Sequence, residues 1–391
     1  MYKLNQKNYI PISKNDLKNK KVEPHINYKF ILITFFILFF LITITVILIN
    51  NISKDNKILI SNPILSKKSI QQNKINNEFV KNLKMILKED EIFENEMMSK
   101  YTTFKIGGPA KYFVKPKYIE QIIKIIKLCN EYKIHFFVLG NGSNLLVSDD
   151  GYYGVVIQIR EDNFSSLNSF KIDENNYKLI VGGGMLMKTL SIESCLLSLT
   201  GLEDIIDIPG TVGGGIIMNA SFRGTGLSKP LTKVKVITPE GVIKELTKNE
   251  CKLEQRKSFL KEKKYIVIEA EFILKKGDKI IIQKTMTNNT KMRYEKQPMY
   301  FGSAGSFFIW NHNKHGSMYE KYKESNLVSY KNGNIMVYTY NIAFIVNLGK
   351  GTAYEVMEVV THIEKIMKEK YDIELKREVI VLGLFNNIEY Y

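Results

Sequence analysis

Two glycine-rich runs hold most of the ligand-binding chemistry that this 391-residue sequence offers. The first is Gly140-Asn141-Gly142-Ser143-Asn144, directly after the strand-like Phe136–Leu139. The second is Ile208-Pro209-Gly210-Thr211-Val212-Gly213-Gly214-Gly215. Glycine lets the backbone approach a ligand closely and adopt positive φ. Successive N–H groups then form an anion nest, and Ser or Thr hydroxyls add donors. Two such loops in one domain suggest a diphosphate gripped from two sides; read singly, each is as readily a tight turn. Neither is a standard nucleotide scaffold. No Gly-Lys-Ser/Thr occurs, Leu145 stands where a dinucleotide fingerprint needs its third glycine, and no acidic residue closes a strand about twenty residues later.

Composition excludes several other classes. Hydrophobic residues make up 45% and charged residues 25%, ordinary for a globular chain. The net charge of +16 comes from 56 Lys+Arg against 40 Asp+Glu, yet only Arg160, Arg223, Arg256, Arg293 and Arg377 are arginines. A lysine excess with so little arginine and no unbroken basic stripe reflects compositional bias and does not indicate nucleic-acid binding. Cys129, Cys195 and Cys251 lie far apart, which argues against disulfides and a cysteine zinc site and fits a reducing compartment. The five histidines show no ligand spacing, so no metal site is expected.

The elements that must position the loops alternate. Tyr118–Lys133 has apolar residues at helical spacing and leads into Phe136–Leu139; Val155–Ile159 is a further strand. Leu179–Val181 runs into Gly182-Gly183-Gly184 and a helix over Met187–Leu197. Tyr354–Lys370 is amphipathic and precedes the strand Val379–Leu382. This implies an α+β architecture without internal repeats. Ahead of it, residues 1–29 form a basic tail and Phe30–Ile49 is an uncharged run long enough to cross a bilayer, so residues 30–50 are expected as a transmembrane helix. Residues 51–92 are rich in Lys, Asn and Ser and are expected as a linker.

The body carries TTFKIGGPA at 102–110, GNGSNLLV at 140–147, VGGG at 181–184, GLEDIIDIPGTVGGGIIMNAS at 201–221, SAGSFF at 303–308 and ELKREV at 374–379. In that order these runs resemble the shorter class of the UDP-N-acetylenolpyruvoylglucosamine reductase (MurB) family, over roughly residues 93–383. The resemblance implies a two-lobed FAD-binding domain of the vanillyl-alcohol-oxidase type over 93–276, with lobes of about 93–160 and 161–276. A C-terminal α+β substrate domain, 277–391, would follow. It implies the cofactors FAD and NADPH and a UDP-sugar substrate whose enolpyruvyl group is reduced for peptidoglycan precursors. Flavin contacts are carried over to Thr103, Lys105, Gly107, Gly108, Gly140, Asn141, Gly142, Ser143, Asn144, Ile208, Pro209, Gly210, Thr211, Gly213, Gly214 and Asn219. The family's proton donor maps to Ser306, a weak acid that needs a strongly basic carbanionic partner held close. Arg256, in Gln255-Arg256-Lys257-Ser258, would hold the substrate carboxylate and steady the developing enolate. Glu378 would polarise the enol carboxyl or assist the proton.

The substrate half departs from that pattern. Met336, Tyr338, Tyr340 and Asn341 replace a glutamine, serine, lysine and histidine; Ile309, Trp310 and Asn311 replace a polar pair and proline; Ser221-Phe222-Arg223 and Gln255 are also unusual. Two alternatives follow: an FAD-linked oxidoreductase of the same fold with another substrate, or a non-catalytic membrane-anchored relative. The lysines before Phe30 favour a cytoplasmic N-terminus. Cytoplasmic substrates instead argue for an anchored body facing the cytoplasm, and that is the localisation expected.

Overall fold

The computed structural model describes residues 63–222, 224–385 and 388–390. The chain divides into an N-terminal unit, Met1–Lys74, and a body, Ile75–Tyr391. The membrane helix expected within residues 30–50 lies outside the described residues. Among the described residues no helix is long and apolar enough to cross a membrane. This corrects the expected fold class and the membrane-anchored localisation built on it: the fold described is an α+β body with no membrane-crossing helix among those residues. The physical reason is plain in the longest helix, α1 (Pro63–Ile86), whose sequence PILSKKSIQQNKINNEFVKNLKMI is interrupted throughout by Lys, Asn and Gln.

That helix is also where a linker was expected. Within the body, Phe79, Leu83 and Leu87 are buried at four-residue spacing. The Phe79 ring packs against Tyr112 and Tyr132 with centroids 5.5 and 5.8 Å apart. The polar outer face masks this narrow apolar stripe in the sequence.

The first lobe holds β1 (Ile92–Met97), β2 (Pro109–Val114), α2 (Ile119–Glu131), β3 (Phe136–Leu139), β4 (Leu145–Val147) and β5 (Tyr152–Gln158). Four strands pair in the order β1-β2-β5-β3, with β2, β5 and β3 parallel. α2 is the crossover between β2 and β3, and buries Ile122, Ile125, Ile126 and Cys129. The second lobe holds β6 (Leu167–Lys171), β7 (Asn176–Gly182), α3 (Met187–Leu196), α4 (Val212–Ile217), β8 (Leu231–Ile237), β9 (Ile243–Thr247), α5 (Phe259–Glu262) and β10 (Ile266–Lys276). Its strands run β9-β8-β10-β7-β6 and pair antiparallel. Leu179, Val181, Val234, Val236 and Phe272 fill its core.

The remainder comprises α6 (Lys279–Lys296), β11 (Gly302–Ser306), β12 (Ile335–Val337), β13 (Phe344–Asn347), α7 (Ala353–Tyr371) and β14 (Ile380–Phe385). β13 lies between β11 and β12, antiparallel to both. α7 buries Val356, Val359, Val360, Ile363 and Met367 and starts with a Thr352/Glu355 capping box. This part does not stand apart from the first lobe. β14 pairs in parallel with β4, Ile380 opposite Leu145 and Leu382 opposite Val147. Phe104, Ile106 and Leu146 of the first lobe lie in the same core as α7.

Candidate active site

Each glycine loop leaves one lobe and meets the other. Ser143 Oγ donates to the Pro209 carbonyl at 2.9 Å, tying the loop between β3 and β4 to the loop before α4. At Gly140 a Cβ would come within 2.5 Å of Thr211 Oγ1, so this close approach requires glycine. Gly142 has φ of +61°, and a Cβ there would lie 2.1 Å from the Tyr101 carbonyl oxygen. Thr211 caps α4 by accepting from Gly214 N–H at 3.3 Å. Between the loops lies a cavity of about 920 Å³ that reaches from α2 and the lobes to β11 and Glu378.

Thr103, Gly140, Asn141, Gly142, Ser143, Asn144, Ile208, Pro209, Gly210, Thr211, Gly213 and Gly214 line this cavity. Lys105, Gly107, Gly108 and Asn219 do not appear on its wall. Gly107 and Gly108 pack the chain instead: their carbonyls accept from Ser99 and Met98, and a Cβ on Gly108 would sit 2.0 Å from the Asp149 carbonyl oxygen. Lys105 takes φ of +57° in the turn between them and Thr103. Thr103 serves a second purpose, donating through Oγ1 to the Ser303 carbonyl at 2.7 Å and so fastening β11 to the first lobe.

The three residues assigned to chemistry all face the cavity. Ser306 ends β11, where Ala304 and Gly305 together oppose Ile345, between the pairs Ser303–Val346 and Ser306–Phe344. This bulge, with Gly305 at φ +80°, aims the serine. Glu378 sits just before β14; its N–H donates to the Phe307 carbonyl at 2.8 Å and its carbonyl accepts from Asn144 Nδ2 at 3.1 Å. The main chain of Glu378 is therefore clamped between the first glycine loop and the residue after Ser306. Arg256 Nε lies 2.6 Å from Glu378 Oε1. Arg256 occupies a turn at φ +57°, strain of the kind that gathers at functional sites.

Asn219 holds that turn. Its side chain donates to the Glu254 carbonyl at 2.9 Å, and its own carbonyl accepts from Arg256 Nη1 at 3.2 Å. Ser221 Oγ accepts from the same nitrogen at 3.4 Å. Burial pushes the Glu378 carboxyl above the usual range for a glutamate, while Arg256 and Lys261 pull against it. Lys261, on α5, shares the cavity wall, and burial lowers its proton affinity.

Sequence reasoning gave no role to Arg293. It lies on α6, is 5% exposed, and its guanidinium stands 5.3 Å from the Phe222 ring centroid on the cavity wall. Its signal was a spacing: Ile282, Asn289 and Arg293 form the buried face of α6, so two polar residues occupy core positions. Ser221 and Phe222, noted as departures, thus support the two cavity arginines. Arg223 lies outside the described residues. The departing segment before β13 is anchored by Asn341, whose Nδ2 donates to the Lys296 carbonyl at 3.0 Å. Tyr340 beside it is 81% exposed.

The donor set suits an anionic dinucleotide. The backbone N–H groups of Gly140 through Asn144 donate to no acceptor among the described residues. Arg293 Nε is buried and likewise without a hydrogen-bond partner there. Five neighbouring N–H donors and a guanidinium around one large cavity fit the diphosphate of FAD. No group of His, Cys, Asp and Glu suited to hold a metal ion occurs among the described residues.

Fold and cavity define a two-lobed FAD-binding oxidoreductase. Residues 110–247 match the family model described as FAD binding domain, and residues 297–382 the one described as UDP-N-acetylenolpyruvoylglucosamine reductase, C-terminal domain. The chain is 36% identical over 312 residues to the UDP-N-acetylenolpyruvoylglucosamine reductase of Lachnoclostridium phytofermentans, covering 79% of this chain and 98% of the relative. For the enzyme of the same name from Clostridium novyi the figures are 37% over 306 residues, 78% and 96%. The crystal structure of UDP-N-acetylenolpyruvylglucosamine reductase (MurB) from Thermus caldophilus matches with a TM-score of 0.60 at 29% identity, over 73% of this chain and 97% of that one. The chain belongs to the UDP-N-acetylenolpyruvoylglucosamine reductase family.

Proposed function

We propose that this protein is an FAD-dependent, NADPH-using reductase of the enolpyruvyl group of UDP-N-acetylglucosamine enolpyruvate, giving UDP-N-acetylmuramate for peptidoglycan synthesis. The observation that carries this reading is the meeting of Ser306, Arg256 and Glu378 on one cavity with both glycine loops. Such a cluster also speaks against a non-catalytic relative. The 140–144 and 208–214 loops would hold FAD, which when bound would relay two electrons from NADPH to the substrate.

The chain's own residues manage charge and the proton. Hydride addition at the terminal vinyl carbon drives the electron pair of the double bond toward the substrate carboxylate. Arg256, fixed by Asn219 and Glu378, meets that charge with a guanidinium that needs no reorganisation. Ser306 donates its hydroxyl proton to the adjacent carbon, completing the lactyl ether. Glu378 sets the orientation of Arg256 beside the reacting carboxyl, with burial raising its proton affinity against the pull of Arg256 and Lys261. Purified holoenzyme should consume NADPH faster when the UDP-enolpyruvyl sugar is added. Flavin-bound protein indifferent to that sugar would sink the assignment.

A further inference from the structure

Arg293 combines three features that packing alone does not account for. It is 5% exposed, its Nε has no hydrogen-bond partner among the described residues, and it lines the cavity. An unpaired buried guanidinium donor is expensive, because desolvation is not offset by a hydrogen bond. The Phe222 ring at 5.3 Å returns only part of that cost.

The carboxylate whose charge acts on Arg293, Asp207, is hydrogen-bonded elsewhere. Asp207 lies in the loop before Pro209 and also lines the cavity. Its Oδ1 accepts from Lys188 Nζ at 2.7 Å, and its Oδ2 accepts from Thr290 Oγ1 at 2.5 Å. Asp204, the next carboxylate along, accepts from Asn289 Nδ2 at 2.9 Å. Lys188 and Arg293 both lie in the field of Asp207, yet the Arg293 Nε–H donates to neither carboxylate. The same bonds hold rigid the stretch of α6 that carries Arg293. Asn289 and Thr290 stitch it to the second lobe, and Asn341 fixes the helix end at Lys296. A rigid, desolvated, underpaired cation on a nucleotide-sized cavity is built to receive an anion.

We propose that Arg293 is an anion-holding residue of the cavity, its Nε–H taking a phosphate oxygen of a diphosphate-bearing nucleotide. The inference rests on the proposed function, in which FAD, NADPH and the UDP-sugar all present such oxygens.

The test uses holoenzyme carrying Arg293→Gln or Arg293→Lys beside wild type. Three readouts separate the sources of the phosphate. One is FAD affinity, from flavin fluorescence on reconstitution. Another is UDP binding to oxidised enzyme, from the change in the flavin spectrum. The last is the rate at which NADPH bleaches the flavin as NADPH concentration is varied. Arg293→Gln should weaken one of these ligands by about 10- to 100-fold, as expected for loss of a hydrogen bond to a charged group, with Arg293→Lys recovering part of it. The readout that moves identifies the ligand. If Arg293→Gln does not fold, Arg293→Lys decides, because lysine keeps the charge and lacks the fork; a loss of about tenfold for one ligand is then expected. Unchanged affinity for all three ligands overturns the proposal. So does a fall in heat stability that is the same with and without each ligand. None of the arms requires turnover. A protein that binds these nucleotides through Arg293 but ignores the enolpyruvyl sugar would refute the assigned reaction and leave this inference standing.

Discussion

Arg256 Nε and Glu378 Oε1 are 2.6 Å apart, although Arg256 belongs to the second lobe and Glu378 to the C-terminal part, and neither lies in a regular strand or helix. Each is held by a partner outside the pair, Arg256 by the Asn219 carbonyl, and the Glu378 backbone by the Asn144 side-chain amide and the Phe307 carbonyl. Glu378→Gln keeps the shape and removes the titrating carboxyl. The expected outcome is a fall in kcat of about 10²- to 10⁴-fold with flavin retained. A pH profile gives the sign. Burial raises the carboxyl, so it stays protonated to higher pH than a free glutamate, against the pull of Arg256 and Lys261. If the protonated form assists, wild-type kcat/KM falls as pH rises through that elevated value, and the limb disappears in Glu378→Gln.

In the proposed reaction Ser306 would act only after hydride has reached the substrate, so its loss should divide the catalytic cycle. In Ser306→Ala, bleaching of the flavin by NADPH should proceed at the wild-type rate. Reoxidation by the UDP-enolpyruvyl sugar should slow by about 10²- to 10⁴-fold. Stopped-flow absorbance reads both halves. Equal slowing of the two would assign Ser306 to binding, and no change in either would remove it from the chemistry.

Local pattern made some of this structure legible. α2 and α7 announced themselves by apolar spacing, and the glycine loops by composition. What escaped was set by partners distant in sequence. The pairing of β14 with β4 joins residues more than two hundred positions apart, and no local signal encodes it. Phe79, Leu83 and Leu87 were hidden among lysines and asparagines because a stripe of three residues in a polar helix barely shifts composition. Asn219 was read as a flavin contact from its motif, and the structure shows it holding the turn of Arg256. Arg293 was visible as one of five arginines, but its meaning depends on which face α6 buries.

Gly142 offers a sharp test of the first loop. Its φ of +61° is costly for a residue with a side chain, about 1–2 kcal/mol, and a Cβ would also strike the Tyr101 carbonyl. The Gly142 carbonyl accepts from Thr103 N–H at 3.2 Å, so a shift there loosens the contact that fastens β11. Gly142→Ala should therefore purify with less bound FAD and with a raised dissociation constant for it, measured by flavin fluorescence. Full flavin content at wild-type affinity would show that the loop tolerates the shift and does not set the flavin cradle.

Asp149, in the first lobe, caps the N-terminus of α7 from outside the helix. Its Oδ1 accepts from Ala353 N–H and its Oδ2 from Tyr354 N–H, each at 3.0 Å, across a separation of more than two hundred residues. The Tyr354 hydroxyl reaches the neighbouring Asp150. Thr352 satisfies a further N–H, that of Glu355, so the two caps divide the free donors of the first turn. Because Asp149 belongs to another part of the fold, its bonds secure the packing of α7 on the first lobe as well as the helix itself. Asp149→Ala should cost about 1–2 kcal/mol, since a carboxylate that accepts two N–H groups near a helix's positive end exceeds an ordinary neutral cap. In a body of this size that corresponds to a drop of roughly 2–6 °C in melting temperature. Asp149→Asn, which keeps one acceptor oxygen, should recover part of the loss. Thermal unfolding followed by circular dichroism reads the effect. A melting temperature unchanged in Asp149→Ala would mean that water replaces the carboxylate at no cost, and that the β14 pairing, the Thr103–Ser303 bond and the shared core hold the C-terminal elements without it.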